Sequence, residues 1–242
     1  MNSSWGDYAI PQKAKRENVD IQAIMRLVYI WMGLGLLVTA VASWLTLNTP
    51  FLIEARGNTP LLLGAIIAQF AMVIAISAGL NRDWLTPNLA SILFFGYAAV
   101  TGFTLSIVFV VFEVGAITNA LVTTTLLFGI MTIFGYTTKM DLTKWGTYLI
   151  IGLIGLLVAM VVNIFLGSST LELIISAIGV LIFTGLTAYD TQKIREYSEN
   201  AALTSTGNMV LKLSIYGALI LYLDFINLFL FLLRLFGGGS RD

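Results

Sequence analysis

Seven apolar stretches of about 20 residues each run through most of this 242-residue chain, separated by polar or turn-forming breaks. A helix of that length crosses a hydrocarbon layer of roughly 30 Å. Charged residues make up 11% of the sequence, against roughly 25% in a soluble domain. The sequence therefore predicts an all-α integral membrane protein. The predicted spans are Leu27–Leu47, Leu61–Leu80, Leu89–Phe112, Ala116–Thr137, Gly146–Leu166, Leu171–Ala188 and Leu211–Phe236.

The predicted organisation is a single domain with short polar ends. We expect a polar cytoplasmic segment at residues 1–26, a transmembrane domain at 27–236 and a short flexible tail at 237–242. A long polar break from Asp190 to Asn208 separates the sixth and seventh spans. An even number of spans stays open, because the stretch Ala116–Thr137 could be only half buried.

The basic residues predict the orientation. If the N-terminus is cytoplasmic, the outer side holds only Arg56, Arg234 and Arg241, and the other ten Lys and Arg lie inside. This bias is typical of a cytoplasmic N-terminus and, with seven spans, an outer C-terminus. The first 25 residues lack the apolar core of a signal peptide. We therefore expect a bacterial inner membrane protein.

The composition excludes several kinds of chemistry. The chain has no Cys and no His, so it can build neither a Ser-His-Asp triad nor a site with His or Cys metal ligands. Thirteen basic residues balance thirteen acidic ones, which gives no argument for a nucleic-acid partner. We expect no enzymatic activity and no cofactor, with the lipid bilayer as the main surrounding partner.

Asp224 lies near the centre of the seventh predicted span, in the sequence Leu-Tyr-Leu-Asp-Phe-Ile-Asn. A charged side chain there costs roughly 2.5–3.5 kcal/mol on insertion scales, and such residues usually face the bundle interior or a watery path. Asn227 follows one turn later and Gly217 lies two turns back, which makes one narrow polar stripe. The alternative is an uncharged, hydrogen-bonded Asp224 that only holds helices together.

Asp190 ends the sixth predicted span, with Thr184 and Thr187 before it at three-residue spacing. This spacing predicts hydroxyls and carboxylate along one helix face. An acid at a cytoplasmic helix end can also simply be solvated, and the spacing does not decide between the two. Arg82 closes the second span on the same side, where a surface arginine beside Asp83 is the simpler interpretation.

Several segments resemble one family. Tyr189-Asp190-Thr191-Gln192-Lys193-Ile194 and the stretch from Leu221 to Phe229 are similar to the C-terminal signature of the Bax inhibitor family, the transmembrane Bax inhibitor motif proteins. Thr101–Ser106 and Gly135–Leu142 are similar to two further stretches of that family, in the same order. The resemblance covers nearly the whole chain.

The resemblance implies a fold and a function. The family fold packs six helices around a central seventh one, and bacterial members are pH-sensitive calcium leaks. The aspartates that match Asp190 and Asp224 form a hydrogen-bonded pair, and an arginine at the position nearest Arg82 latches one of them. The implied partners are calcium, bound transiently by Asp190 and Asp224, and protons.

Elementary chemistry is compatible with such a leak. Calcium prefers six to eight oxygen ligands, and two carboxylates with Thr184, Thr187 and Asn227 nearby make an incomplete set, as conduction requires. Two close carboxylates do not easily both ionise, so the pair would share a proton and titrate as a unit. The hypothesis is a gate set by pH.

Two rival functions remain open from the sequence. Intramembrane aspartyl proteases also use two Asp on adjacent spans, one in a Tyr-Asp pair like Tyr189-Asp190. The second Asp of that class follows a Gly-x-Gly pattern, which Tyr222-Leu223-Asp224 lacks, and the Pro-Ala-Leu motif of that class is absent here. A regulator of a membrane protease or of a stress or cell-death partner, which conducts nothing, is the other alternative.

Overall fold

The computed structural model describes residues 21–204 and 207–238, with side chains of 202–204 excluded. That part of the chain is helical and contains no β-strand. Seven of its helices are long and apolar enough to cross a membrane. The helices are α1 (Ile21–Asn48), α2 (Pro50–Gly57), α3 (Thr59–Gly79), α4 (Pro87–Leu105), α5 (Val108–Val111), α6 (Val114–Thr137), α7 (Thr143–Leu166), α8 (Ser169–Thr204) and α9 (Gly207–Gly237).

Local sequence explains where the spans begin and end. The side chains of Asn58 and Thr86 accept hydrogen bonds from backbone N–H groups in the first turns of α3 and α4, each of which has a proline at its start. These are standard start signals for a helix. Gly167 ends α7 with a φ of 59°, a left-handed conformation that favours glycine.

The seven predicted spans are confirmed, with shifted ends. The stretch Ala116–Thr137 lies within α6, a 24-residue helix long enough for a full span, so the interpretation as a half-buried segment is wrong. Two short helices were not predicted. α2 follows the first span, and α5 continues the third span after a break at Ser106 and Ile107.

The polar break predicted from Asp190 to Asn208 is wrong over most of its length. α8 continues without interruption from Ser169 to Thr204, so Asp190 lies well inside a helix and not at its end. The extension is polar on its outer face and is held by an ion pair between Arg195 and Glu199, four residues apart. Hydropathy marked only the apolar part, because it detects a lipid-facing run and not helical continuity.

The seventh span is the centre of the bundle. α9 packs against α1, α3, α4, α6 and α8, and half of its most apolar window is buried. α7 packs chiefly against α8 and lies at the periphery. Leu221, Tyr222 and Leu228 of α9 are completely buried. Of the predicted polar ends, residues 1–20 and 239–242 lie outside the described residues.

Candidate functional site

Asp224 lies deep in the centre of α9 and is 4% exposed. Its position, 17 residues from the start of a 31-residue helix, places it near the middle of the span. The Oδ2 atom is buried and accepts no hydrogen bond from the described residues. A buried carboxylate oxygen without a donor is costly, so this atom requires a proton, a cation or water nearby.

Asp190 of α8 faces Asp224 of α9. The two carboxyl groups lie within hydrogen-bonding reach of each other. α8 and α9 are packed tightly along this interface. Because α8 runs on past Asp190, the two acids can lie at similar depth, which span boundaries drawn from hydropathy did not predict.

A lysine and not an arginine supplies the positive charge that acts on Asp190. Lys193 lies three residues further along α8, and its charge interacts with that of Asp190. Its Nζ donates a hydrogen bond to Tyr189 Oη at 3.2 Å and lies 5.3 and 5.9 Å from the ring centroids of Tyr189 and Tyr197. Aromatic faces attract an ammonium group at these distances. Lys193 is therefore held close to the pair.

Arg82 lies away from the aspartates. It is exposed in the turn between α3 and α4, where its backbone carbonyl accepts a hydrogen bond from Lys212 Nζ at 3.2 Å. Among the described residues, the salt bridge present is that between Arg195 and Glu199. The structure does not bring the Arg82 guanidinium to Asp190 or Asp224, and the latch stays a prediction.

Two of the three supporting polar residues, Thr187 and Asn227, hydrogen-bond within their own helices. Thr187 is completely buried, and its hydroxyl donates to the carbonyl of Phe183 at 2.8 Å. Asn227 is partly buried, and its Nδ2 donates to the carbonyl of Leu223 at 2.8 Å. Thr184 is partly buried. The Thr187 hydroxyl and the Asn227 amide each donate a proton within their own helix, and only their oxygen lone pairs remain for a cation.

The residues after Asp190 fix the helix to its neighbours. Gln192 clamps the α6–α7 turn, because its Nε2 donates to the Met140 carbonyl and its Oε1 accepts from the Leu142 N–H, both at 2.8 Å. Arg195 Nη1 donates to the Tyr136 carbonyl near the end of α6 at 2.6 Å. Asp190 thus lies on a helix that is bonded to the end of α6 and to the α6–α7 turn.

A different face of α9 carries a second polar anchor. The Tyr222 hydroxyl lies 2.7 Å from Thr39 Oγ1 of α1. The same Oγ1 lies 3.0 Å from the carbonyls of Gly35 and Ala98. Thr39 has a single hydroxyl proton, which one of these carbonyls takes, so Tyr222 donates to Thr39. This bond ties α9 to α1 close to the level of Asp224.

Asp190 and Asp224 are not part of a larger cluster of carboxylates among the described residues. No group of three or more Asp or Glu that could hold a metal ion occurs in residues 21–204 and 207–238. Two carboxylates attract a divalent cation by their charge. They do not supply the six to eight oxygen ligands of a tight calcium site. Such a site can share one proton between its two carboxyl groups or hold a cation weakly.

Sequence reasoning missed Lys193 and its aromatic neighbours. Lys193 was part of the family motif and of the basic residues that set the orientation, but the sixth span was predicted to end before it, so no role beside Asp190 was predicted. Helical continuity would have placed Tyr189, Lys193 and Tyr197 on one face, at spacings of four residues. The pairing of Asp190 with Asp224 came from the family resemblance alone.

These features define a class, that of seven-helix integral membrane proteins with an acidic residue buried in a central last helix. The chain belongs to the Bax inhibitor family, whose sequence profile, described as inhibitor of apoptosis-promoting Bax1, matches residues 21–241.

Curated relatives cover nearly the whole chain. It is 45% identical over 219 residues to the inner membrane protein YbhL of Escherichia coli (strain K12), covering 90% of this chain and 92% of that protein. It is 43% identical over 223 residues to an uncharacterized protein of Deinococcus radiodurans, with 92% of both chains covered. An uncharacterized membrane protein of Streptococcus pyogenes is 35% identical over 229 residues, with 93% of this chain and 96% of that protein covered.

Proposed function

We propose that this protein is a pH-sensitive calcium leak of a bacterial inner membrane, gated by Asp190 and Asp224. The observation that carries the proposal is the contact between these two carboxyl groups, one of them with a buried oxygen that lacks a donor. The inner-membrane location rests on the name of the relative YbhL. The distribution of basic residues supports a cytoplasmic N-terminus.

The gate follows from what one proton does between two acids. With one proton shared, the carboxyl groups hydrogen-bond to each other and hold α8 against α9. Without it, two like charges repel in a poorly solvated site, and a divalent cation becomes the favourable partner. The two states differ in the separation of α8 and α9, which is what a pH-set gate requires.

The test is calcium entry into liposomes that contain the purified protein and an entrapped calcium indicator, measured across pH. Asp190→Asn and Asp224→Asn are expected to abolish the pH dependence, since an amide neither shares the proton nor gains a charge. Asp141→Asn is the matched control, because Asp141 is fully exposed in the α6–α7 turn. Unchanged, still pH-dependent flux in both pair variants would sink the proposal.

Lys193 offers a finer test of the same gate. Its ammonium group lies on the turn of α8 next to Asp190, so Lys193→Met is expected to change the pH of half-maximal flux. Lys212→Met is the control, since Lys212 Nζ contacts the backbone carbonyl of Arg82 instead. Equal shifts in both variants would mean that general surface charge, and not Lys193, acts on the gate.

Two alternatives give different outcomes in the same preparation. A regulator that needs a partner protein would leave partner-free liposomes silent at every pH. An aspartyl protease would cleave an added transmembrane peptide and lose that cleavage with either Asp→Asn change, because paired carboxyl groups can also activate water. The proposal predicts flux without cleavage.

A further inference from the structure

One face of α9 is turned toward α8, and Asp224 lies on it. A Cβ atom added at Gly217 would meet the side chain of Ile194 in α8, and the carboxyl group of Asp224 reaches that of Asp190. The ring of Phe231 stacks on an aromatic ring of α8, with the ring centroids 5.7 Å apart. These three positions of α9 are seven residues apart, which is almost two full turns, so they share one face. Asp224 therefore meets Asp190 only while α9 keeps this rotation about its own axis.

Tyr222 lies on the opposite face of α9. It precedes Asp224 by two residues, which corresponds to about 200° around the helix axis. Its side chain is completely buried, and its ring packs edge to face against the rings of Phe94 and Tyr97 of α4, with centroid distances of 6.0 and 5.7 Å. Its hydroxyl lies 2.7 Å from Oγ1 of Thr39 in α1. Two other helices therefore hold the side of α9 that faces away from α8.

The hydrogen bond between Tyr222 and Thr39 restricts the rotation of α9 more than the ring contacts do. Aromatic pairs are favourable over centroid distances of about 4.5–7 Å, whereas a hydroxyl bond requires a distance of about 2.5–3.0 Å and a narrow range of angles. The acceptor is itself fixed, because Thr39 Oγ1 lies 3.0 Å from the carbonyls of Gly35 and Ala98. A turn of α9 by one residue, about 100°, would break the bond.

The contact between the two carboxyl groups does not fix this rotation by itself. It changes from attraction to repulsion when the shared proton leaves, and Oδ2 of Asp224 has no other hydrogen-bond partner among the described residues. The bond between Tyr222 and Thr39 joins two neutral groups and is unaffected by that change of charge. It therefore supplies a constant restraint on the face of α9 opposite the acids.

We propose that Tyr222 is a positioning residue, whose hydrogen bond to Thr39 sets the rotation of α9 and so directs the carboxyl group of Asp224 toward Asp190. Tyr222 touches neither carboxyl group and acts through the helix that carries one of them. Its importance for gating rests on the proposed calcium leak, whereas the direction of Asp224 does not. The two parts are therefore tested separately.

The first experiment measures the rotation of α9 by disulfide crosslinking, which is free of background because the chain has no Cys. Asp190→Cys is combined with Asp224→Cys in one full-length protein and with Phe225→Cys in another. Both are reconstituted in liposomes and oxidised with copper phenanthroline, and mass spectrometry after thiol alkylation counts the disulfides formed. The pair at Asp224 is expected to crosslink faster, because Phe225 packs against the ring of Phe128 in α6 and so faces another helix.

Tyr222→Phe is then added to both proteins. This change removes the hydroxyl and keeps the ring, so the ratio of the two crosslinking rates is expected to fall about fivefold, the factor that one buried hydrogen bond represents. Thr39→Val removes the acceptor and is expected to lower the same ratio.

Ser43→Ala is the matched control. The buried Ser43 hydroxyl donates to the carbonyl of Gly102 at 2.8 Å, which is a bond between α1 and α4 that does not involve α9. Thermal melting confirms that each variant is folded. An unchanged ratio in Tyr222→Phe, or an equal fall in Ser43→Ala, would overturn the proposal.

Calcium flux into liposomes tests the part that concerns gating. In the protein with both aspartates present, Tyr222→Phe is expected to change the pH of half-maximal flux, and Ser43→Ala is expected to leave it as it is. A changed crosslinking ratio in a protein that passes no calcium would contradict the proposed leak and support the positioning role. An unchanged ratio together with normal, pH-dependent flux would overturn the positioning role and leave the leak standing.

Discussion

The seventh span and the fifth span are both long apolar helices, yet they have opposite surroundings. Half of the most apolar window of α9 is buried, whereas only 6% of that of α7 is, although α7 is the more apolar of the two. In lipid, apolarity shows only that a helix crosses the membrane, because lipid tails are as apolar as leucine. Asp224 identifies the central helix, since a mid-membrane acid must face protein or water.

The largest expected difference between the two helices comes from shortening an apolar side chain. Leu228 of α9 is completely buried, whereas Ile154 of α7 is 56% exposed. Leu228→Ala is expected to destabilise the fold by about 2 kcal/mol or more, because it leaves a cavity. Ile154→Ala is expected to cost under about 0.5 kcal/mol, since lipid refills the space. Unfolding by a denaturing detergent measures both, and similar losses would contradict the central place of α9.

A smaller difference in stability is expected between two positions of α6, one packed against another helix and one with open space around it. A Cβ atom added at Gly135 of α6 would collide with the backbone of Ala188 in α8, whereas one at Gly129 would meet nothing within 4 Å. Gly135→Ala is therefore expected to destabilise the protein by about 1–3 kcal/mol through overpacking. Gly129→Ala is expected to be neutral or slightly stabilising in the same assay. A neutral Gly135→Ala would mean that α6 and α8 are not in close contact there.

The smallest expected effect concerns Asp141, an exposed acid in the turn before α7. The Thr143 hydroxyl and backbone N–H hydrogen-bond its carboxylate, and these bonds lower the pKa of Asp141 below its usual value. A pKa that is lower in the folded state than in the unfolded state stabilises the fold. This stabilisation is complete at a pH above the unfolded-state pKa and is lost as the pH falls through the folded-state pKa. Asp141→Asn should therefore lower the melting temperature slightly at neutral pH. Melting curves of both proteins should converge under strongly acidic conditions, and a gap that widens with acidity would contradict this assignment.

Much of the fold could be predicted from the sequence, because lipid imposes a simple rule of length and apolarity on each span. Asp224 could be predicted as a site residue because a charged residue stands out within an apolar span. The part of α8 after Asp190 was missed, since Lys193 and Arg195 make it look like a loop. It is helical, and its Gln192 and Arg195 bind the end of α6 and the turn that follows. The buried, unpartnered Oδ2 of Asp224 could not be predicted, because an atom without a partner is a property of packing and not of spacing.

Because α8 is one unbroken helix, its end beyond Asp190 is rigidly connected to the part that packs within the bundle. From Asp190 to Thr204 the helix extends ~21 Å without a joint. Gln192 binds the α6–α7 turn and Arg195 binds the end of α6, two and five residues from Asp190. A displacement of that end of α8 would therefore be transmitted through continuous helix to the segment that carries Asp190, the residue that faces Asp224.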